Sequence, residues 1–364
     1  MIAPKVADGG GEVLETKSGM DALSEIVDRS VGLYGVAPTC HLSALARMDG
    51  YRRAFLDRAL EDDRSLARVR AMRGSVYTFP HGLLEVALAA TRRQNQSLSS
   101  TYRRQVAGEL PRMAPLVEVA LAAGPLSAAQ LRKRVDPDQR IGRYFGALLA
   151  MMAGEYRIVR AVTSGGWRSN LLTYARWSDW LPQVDPYAIE EGKARRWLAE
   201  RYLTAYGPAS FADLRWWAGW TVAETRAASE NLDWNQEGSM RLLDKLRLLP
   251  VWDVLMVAYR ERDHLLDPDH HPYVYDRFGN ATSVVLDGGR VVGVWDLGRP
   301  DRTLTIKVAP LGSWNPSRWE AVEEEAGRIG VMIGADLVTV KRVSEPVDLV
   351  AAPRNRFLSP LKSA

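Results

Sequence analysis

Apolar residues recur at helical spacing from Met20 onward, with Ala22, Leu23, Ile26 and Val27 forming one stripe. A break from Gly32 to Pro38 precedes a second helical run through Leu42, Leu45 and Ala46, and Arg52 to Leu60 continues the pattern. The segment ARVRAMRGSVYTFP ends in a β-branched and aromatic run that predicts a strand. The residues before Met20 begin glycine-rich and carry no apolar period, so 1–19 are expected to be a tail and 20–118 a first unit.

The same order returns further along the chain, partly in the same letters. GPLSAAQL at Gly124 to Leu131 and GPASFADL at Gly207 to Leu214 agree at five of eight positions, 83 residues apart. An internal repeat accounts for this, with the Gly-Pro as a turn and the serine at a helix N-cap. After the first copy, IGRYFGALLAMMAGEYRIVRAVTSGGWRSNLLTYARW reads as a helix, a strand, a Ser-Gly-Gly turn and a returning strand. That order is the plan of a winged helix, with Arg140 to Glu155 as the element that meets DNA and Thr163 to Arg168 as the wing tip. Residues 119–185 and 186–247 are therefore expected to be a second and a third unit.

From Leu248 the pattern changes to short runs: DVLMVAY, PYVYD, ATSVVL, RVVGVWDL and TLTIKVAPL. These predict an antiparallel β-barrel-like domain over 248–352, completed by a helix near Pro316 to Ile329 and a strand near Ala335 to Arg342, with 353–364 as a second tail. The fold class expected is mostly α with β, tandem winged-helix units followed by a C-terminal barrel.

Composition adds exclusions. With 46% hydrophobic and 25% charged residues in 364, the chain is an ordinary packed protein of several units. One cysteine, Cys40, excludes an internal disulfide, and the absence of both a secretory signature and a long apolar stretch points to the cytoplasm and away from membranes. The formal charge of +4 is small, but its distribution is not even. Only eight of the 48 basic residues are lysine, and arginine is the side chain whose planar fork matches phosphate; genomic base composition produces the same skew. Between Leu131 and Trp177 stand nine basic residues against three acidic ones, on the elements read as recognition helix and wing. Arg132, Lys133, Arg134, Arg140, Arg143, Arg160 and Arg168 are the DNA-binding candidates there, and Arg73 in the Met-Arg-Gly turn is another.

MRGSVYTFP (Met72 to Pro80), YLTAYGPASFADLRWWAGW (Tyr202 to Trp220), LLPVWDVLMVAYRERDHLL (Leu248 to Leu266) and GGRVVGVWDL (Gly288 to Leu297) resemble landmarks of the bacterial winged-helix DNA glycosylases of the AlkZ and YcaQ type. The resemblance implies tandem winged helices and a β-barrel around duplex DNA, removal of alkylated purines, unhooking of interstrand crosslinks and, in several members, self-protection against genotoxins. It also implies a catalytic motif after a Gly-Leu: Gln, an apolar residue, then Gln, or Asp in the YcaQ branch, holding a water beside C1′.

Here Gly32-Leu33 is followed by Tyr34-Gly35-Val36, which contains neither Gln nor Asp. Gln94-Asn95-Gln96 has a polar middle residue and lies too far along to serve. Thr39 and His41 repeat the i, i+2 polar spacing, and in an extended segment they would share one side of the chain. His41 would then act as base or electrostatic partner of the sugar and Thr39 would orient the water. The competing reading makes Thr39 the N-cap of a helix whose end the His41 ring covers. Tyr34 either stacks on an extruded base, fills the gap left by the missing Gln, or is core.

Asp253 and Tyr259 are expected on the first C-terminal strand, with Asp253 either orienting an active-site group or, as is commoner, pairing Arg260 or Arg262. DHLLDPDHHP fits no zinc or facial-triad spacing, so no metal and no organic cofactor are expected. Only Lys5 and Lys17 precede the first unit's core, which disfavours covalent lyase chemistry. The partner expected is duplex DNA with a modified base, met by a monomer at the nucleoid. A catalytically silent lesion sensor or regulator, and a glycosylase for another modified base, are the alternatives.

Overall fold

The computed structural model describes residues 12–96, 104–239, 245–298 and 303–351. Residues 1–11 of the expected first tail and all of the expected second tail lie outside that set. Residues 12–19, also read as tail, instead belong to the first helix, α1 (Glu12–Arg29), where Gly19 packs so closely on the Phe55 ring that a Cβ would stand 2.5 Å from it.

The first unit runs from α1 through β1 (Leu33–Tyr34), α2 (Thr39–Arg47), α3 (Arg53–Glu61), β2 (Leu66–Arg70) and β3 (Val76–Pro80) to α4 (His81–Gln96). The expected strand is the second arm of a hairpin closed by a 3-10 turn, Met72–Gly74. Leu23, Val27, Leu33, Leu56, Leu66, Phe79 and Leu83 are buried between its helices and strands. Next come α5 (Leu110–Ala120), β4 (Leu126–Ser127), α6 (Ala128–Val135), α7 (Phe145–Gly154), β5 (Ile158–Ser164) and β6 (Leu171–Arg176), around a separate core that includes Met113, Leu131, Phe145 and Leu149. Strands of both groups share one open six-stranded sheet, ordered β1-β3-β2-β5-β6-β4, in which β2 and β5 meet at Arg68 and Arg160.

The repeat behaves as its letters predict. Ser127 caps α6 in a capping box with Gln130, and Ser210 caps α9 (Phe211–Ala218) in a capping box with Asp213. Helix α8 (Glu191–Tyr206) precedes this second copy and α10 (Val222–Ala228) follows it. No hairpin follows α10 among the described residues; β7 (Arg247–Leu249) joins a second sheet instead.

That sheet is ordered β11-β10-β9-β8-β7, with β8 (Val284–Asp287), β9 (Arg290–Leu297), β10 (Thr303–Pro310) and β11 (Leu337–Arg342). It is open, which corrects the barrel expectation. Helix α11 (Pro316–Ile333) is a crossover that delivers β11 parallel to β10, so β11 and β7 end up at opposite edges. DVLMVAY is not a strand: Val254 to Met256, Ala258 and Tyr259 are buried in a succession of turns. In PYVYD the chain makes a helical turn, His271–Val274, rather than a strand. Among the described residues no helix is long and apolar enough to cross a membrane.

Candidate active site

Strand β1 places Tyr34 opposite Tyr77 on β3. The approach is tight: Gly32 has φ +90°, and a Cβ there would stand 2.4 Å from the Phe79 ring, so only glycine brings the chain in. The half-buried Tyr34 ring lies 5.4 Å from Trp252 and 5.7 Å, edge-on, from Tyr77. Trp252 is anchored by its indole N–H, which donates to Asn280 Oδ1 at 3.3 Å. Arg73 is near enough for the phenols of Tyr34 and Tyr77 to act on its charge, which burial pulls below the usual arginine range. Its guanidinium rests 3.9 Å over Trp216. Arg262 stands 5.1 Å from the same indole and 3.8 Å over Tyr275, donating to the carbonyls of Tyr259 and Gly279. Arg73 and Trp252 also hold left-handed backbone, φ 55° and 56°, which bulky side chains seldom adopt. Two arginines and five aromatic rings thus converge from four stretches of chain at the position after Gly32-Leu33.

Thr39 and His41 are not on one side of an extended segment. Both lie in α2, which starts at Thr39, so a two-residue step turns them to different sides. The Thr39 hydroxyl donates to the Val251 carbonyl at 3.0 Å, and the cap position is Pro38, so Thr39 is not the N-cap either. His41 is 2% exposed. Its Nδ1 is 2.9 Å from the Tyr51 hydroxyl and its Nε2 3.4 Å from Asp57 Oδ1. Burial, reinforced by Arg68 and Arg53, pushes its pKa down to about 3, so the ring is neutral. A neutral imidazole accepts from Tyr51 at Nδ1 and turns its Nε2–H toward Asp57, leaving no nitrogen for a substrate water.

Asp253 was expected to pair Arg260 or Arg262, and pairs Arg47 of α2 instead, at 2.6 Å, while accepting from Ser43 at 2.7 Å. The Arg260 and Glu261 amides go to Asp213. Among the described residues no three His, Cys, Asp or Glu side chains stand together as metal ligands.

The other basic candidates lie apart from Tyr34 in sequence, on α6, the loop after it, and the β5–β6 hairpin. Lys133, Arg134, Arg140, Arg143 and Arg168 are exposed, and Arg132 and Arg160 are half-buried. Buried Asp136 accepts from the Arg140, Ile141 and Gly142 amides, which orders the loop that displays Arg140 and Arg143. Arg132 donates to Gln139, Arg143 to the Tyr144 hydroxyl, and Arg168 to the Gly298 carbonyl. The hairpin reaches the Tyr34 segment through Asn170, whose amide accepts from Ala37 N–H at 2.8 Å and donates to Ala37 O at 2.9 Å. Asn170, Tyr77, Trp216, Trp252 and Arg262 were not singled out from sequence as site residues; their roles come from contacts between distant segments, although LRWW and PVW do carry the tryptophans.

A family model described as DNA glycosylase AlkZ-like matches residues 27–331. The chain belongs to the AlkZ-like DNA glycosylase family. As a member of that family it is a DNA glycosylase, an enzyme that releases an adducted base by hydrolysing its bond to deoxyribose. Among solved structures, the Streptomyces sahachiroi DNA glycosylase AlkZ is similar in fold, with a TM-score of 0.67 at 21% identity over 88% of this chain and 93% of that one. No curated protein matches the chain.

Proposed function

We propose that this glycosylase removes an alkylated or bulky-adducted base from duplex DNA, acting as a monomer in the cytoplasm, with Tyr34 at the reacting centre. The single observation that carries this reading is the position of Tyr34 between Trp252 and Tyr77 and beside Arg73, at the place after Gly32-Leu33. An N7-alkylated purine is already cationic, so it departs as a neutral base and takes the electron pair of the C1′–N bond with it. Water then supplies the new C1′–O bond and releases its proton to solvent. The site has to support the cationic sugar and keep a water in place. The negative π-faces of Tyr34 and Trp252 meet the first need, and the Tyr34 hydroxyl, which both donates and accepts, meets the second. Arg73 is read as the hand that holds the flanking phosphate.

The strand and helix order of 12–80 and of 110–176 supports reading both as winged helices, with the arginines of α6, its following loop and the β5–β6 hairpin laid against the phosphate backbone. His41 is assigned to holding the first unit together and Thr39 to tying it to Val251, rather than to chemistry. Replacing Tyr34 by Ala is expected to lower the single-turnover excision rate at least ~100-fold, the scale of losing a group that acts in the transition state, whereas Tyr34→Phe isolates the hydroxyl. A rate unchanged by Tyr34→Ala would remove this site from the reaction.

A second reading is favoured by one observation: Tyr34 and Val36 stand where the resemblance places the polar pair. It makes the chain a lesion-binding protein that has kept the fold without the hydrolysis. Tight binding to adducted duplex with no abasic product would select it.

A further inference from the structure

On the other side of the Arg73 turn lies an open cleft of roughly 570 Å³, bordered by the hairpin, α4, α8 and the start of α10. Arg70, Arg73, Arg93 and Arg195 line it, against one carboxylate, Glu224. Glu224 is already engaged by Arg93 at 3.1 Å and Arg195 at 3.8 Å. Arg70 and Arg73 meet no carboxylate among the described residues, and Arg70 Nε is buried without an acceptor.

The charge is concentrated further at the sheet. Arg160 on β5 stands directly opposite Arg68 on β2, two residues before Arg70. Burial lowers the pKa of Arg160, and the charge of Arg70 adds to that effect. A buried N–H with no acceptor is destabilising. An anion in the cleft would answer the unpaired Arg70 and Arg73, and arginine's planar fork suits phosphate oxygens. Gly219, at φ +70°, keeps the entrance clear: a Cβ there would stand 3.2 Å from Arg73 Cγ and 3.1 Å from Gln94 Oε1.

We propose that this cleft holds a backbone phosphate of the DNA strand that passes Tyr34, with Arg70, Arg73 and Arg93 as its donors. The inference rests on the reading of Tyr34 as the reacting centre and extends it. Arg73 belongs to both places, so one strand can engage the reacting centre and the cleft together. The cleft is also open and far larger than a lone anion needs, which favours a phosphate carried on a chain over free phosphate.

The test is the salt dependence of binding to a fluorescein-labelled duplex, by anisotropy, for the full chain and its Arg70→Gln and Arg93→Ala variants. Each lost phosphate contact should reduce the slope of log K against log salt by about 0.9. Between low and fourfold higher salt, each variant should therefore lose about 3.5-fold less affinity than the wild type. Arg93 is 74% exposed in its side chain, so that variant folds whatever Arg70 does. Unchanged slopes in both variants, with steep salt dependence kept in the wild type, would overturn the cleft alone. A wild type that binds duplex without salt dependence would overturn the DNA-binding reading as well. A saturable change in tryptophan fluorescence on adding inorganic phosphate, lost in Arg70→Gln, with the DNA slopes unchanged, would also overturn the proposal by making this a free-anion pocket.

Discussion

The imidazole of His41 is enclosed by Tyr51, Asp57, Arg53 and Arg68, and it remains neutral because burial and the two arginines disfavour a third positive charge. In the unfolded chain it titrates near 6.5, and in the folded chain near 3. Between these values the unfolded state binds the extra proton, so His41 makes stability fall as pH drops, by about 1.4 kcal/mol per unit. Urea unfolding of wild type and His41→Gln from neutral pH down to about 4.5 should show the shallower dependence in the variant; Asp57, whose pKa burial raises, is common to both. Equal slopes would place the His41 charge elsewhere. The spacing of Thr39 and His41 was legible in the sequence, but their chemistry was not, because the helix start at Thr39 turns the two apart. The absence of the polar pair at Tyr34 and Val36 was fully legible, and the rings against Tyr34 come from residues 77 and 252, with Trp216 beneath Arg73, and left no local signal.

Helix α2 is tied to the C-terminal part of the chain by the pair of Arg47 and Asp253, whose side chains are 2% and 0% exposed. Removing one partner leaves a buried charge without its counterpart, so Asp253→Ala should cost about 3–5 kcal/mol. The double change Arg47→Met with Asp253→Leu should cost less, since neither charge is then stranded; denaturant midpoints would measure this, and a double variant less stable than the single would contradict it. Sequence resolved the elements best where local signals agree. The capping serines and the apolar period gave both repeat helices, and the alternation in RVVGVWDL gave β9. It failed at DVLMVAY, because a short buried apolar run has the same letters in a strand as in turns. There Asp253 Oδ1 accepts from the Leu255 amide and bends the backbone. Closure of the second sheet was equally out of reach, since nothing in TLTIKVAPL or LVTVKR states which partner each strand takes.

Across the whole molecule, the six-stranded sheet and Asn170 connect the β5–β6 hairpin to the Tyr34 segment, so the basic elements and the candidate reacting centre belong to one framework. The family match over residues 27–331 makes a DNA glycosylase of the chain, and the arrangement around Tyr34 is what distinguishes it from the pattern with a polar pair. The most direct test is an abasic-site assay under single-turnover conditions on duplex DNA carrying 7-methylguanine or a bulky N7 adduct, with wild type and Tyr34→Ala compared at equal, verified folding. Abasic product from the wild type, lost in the variant, is the predicted result. Tight binding of both proteins to the adducted duplex with no abasic product from either would contradict the account.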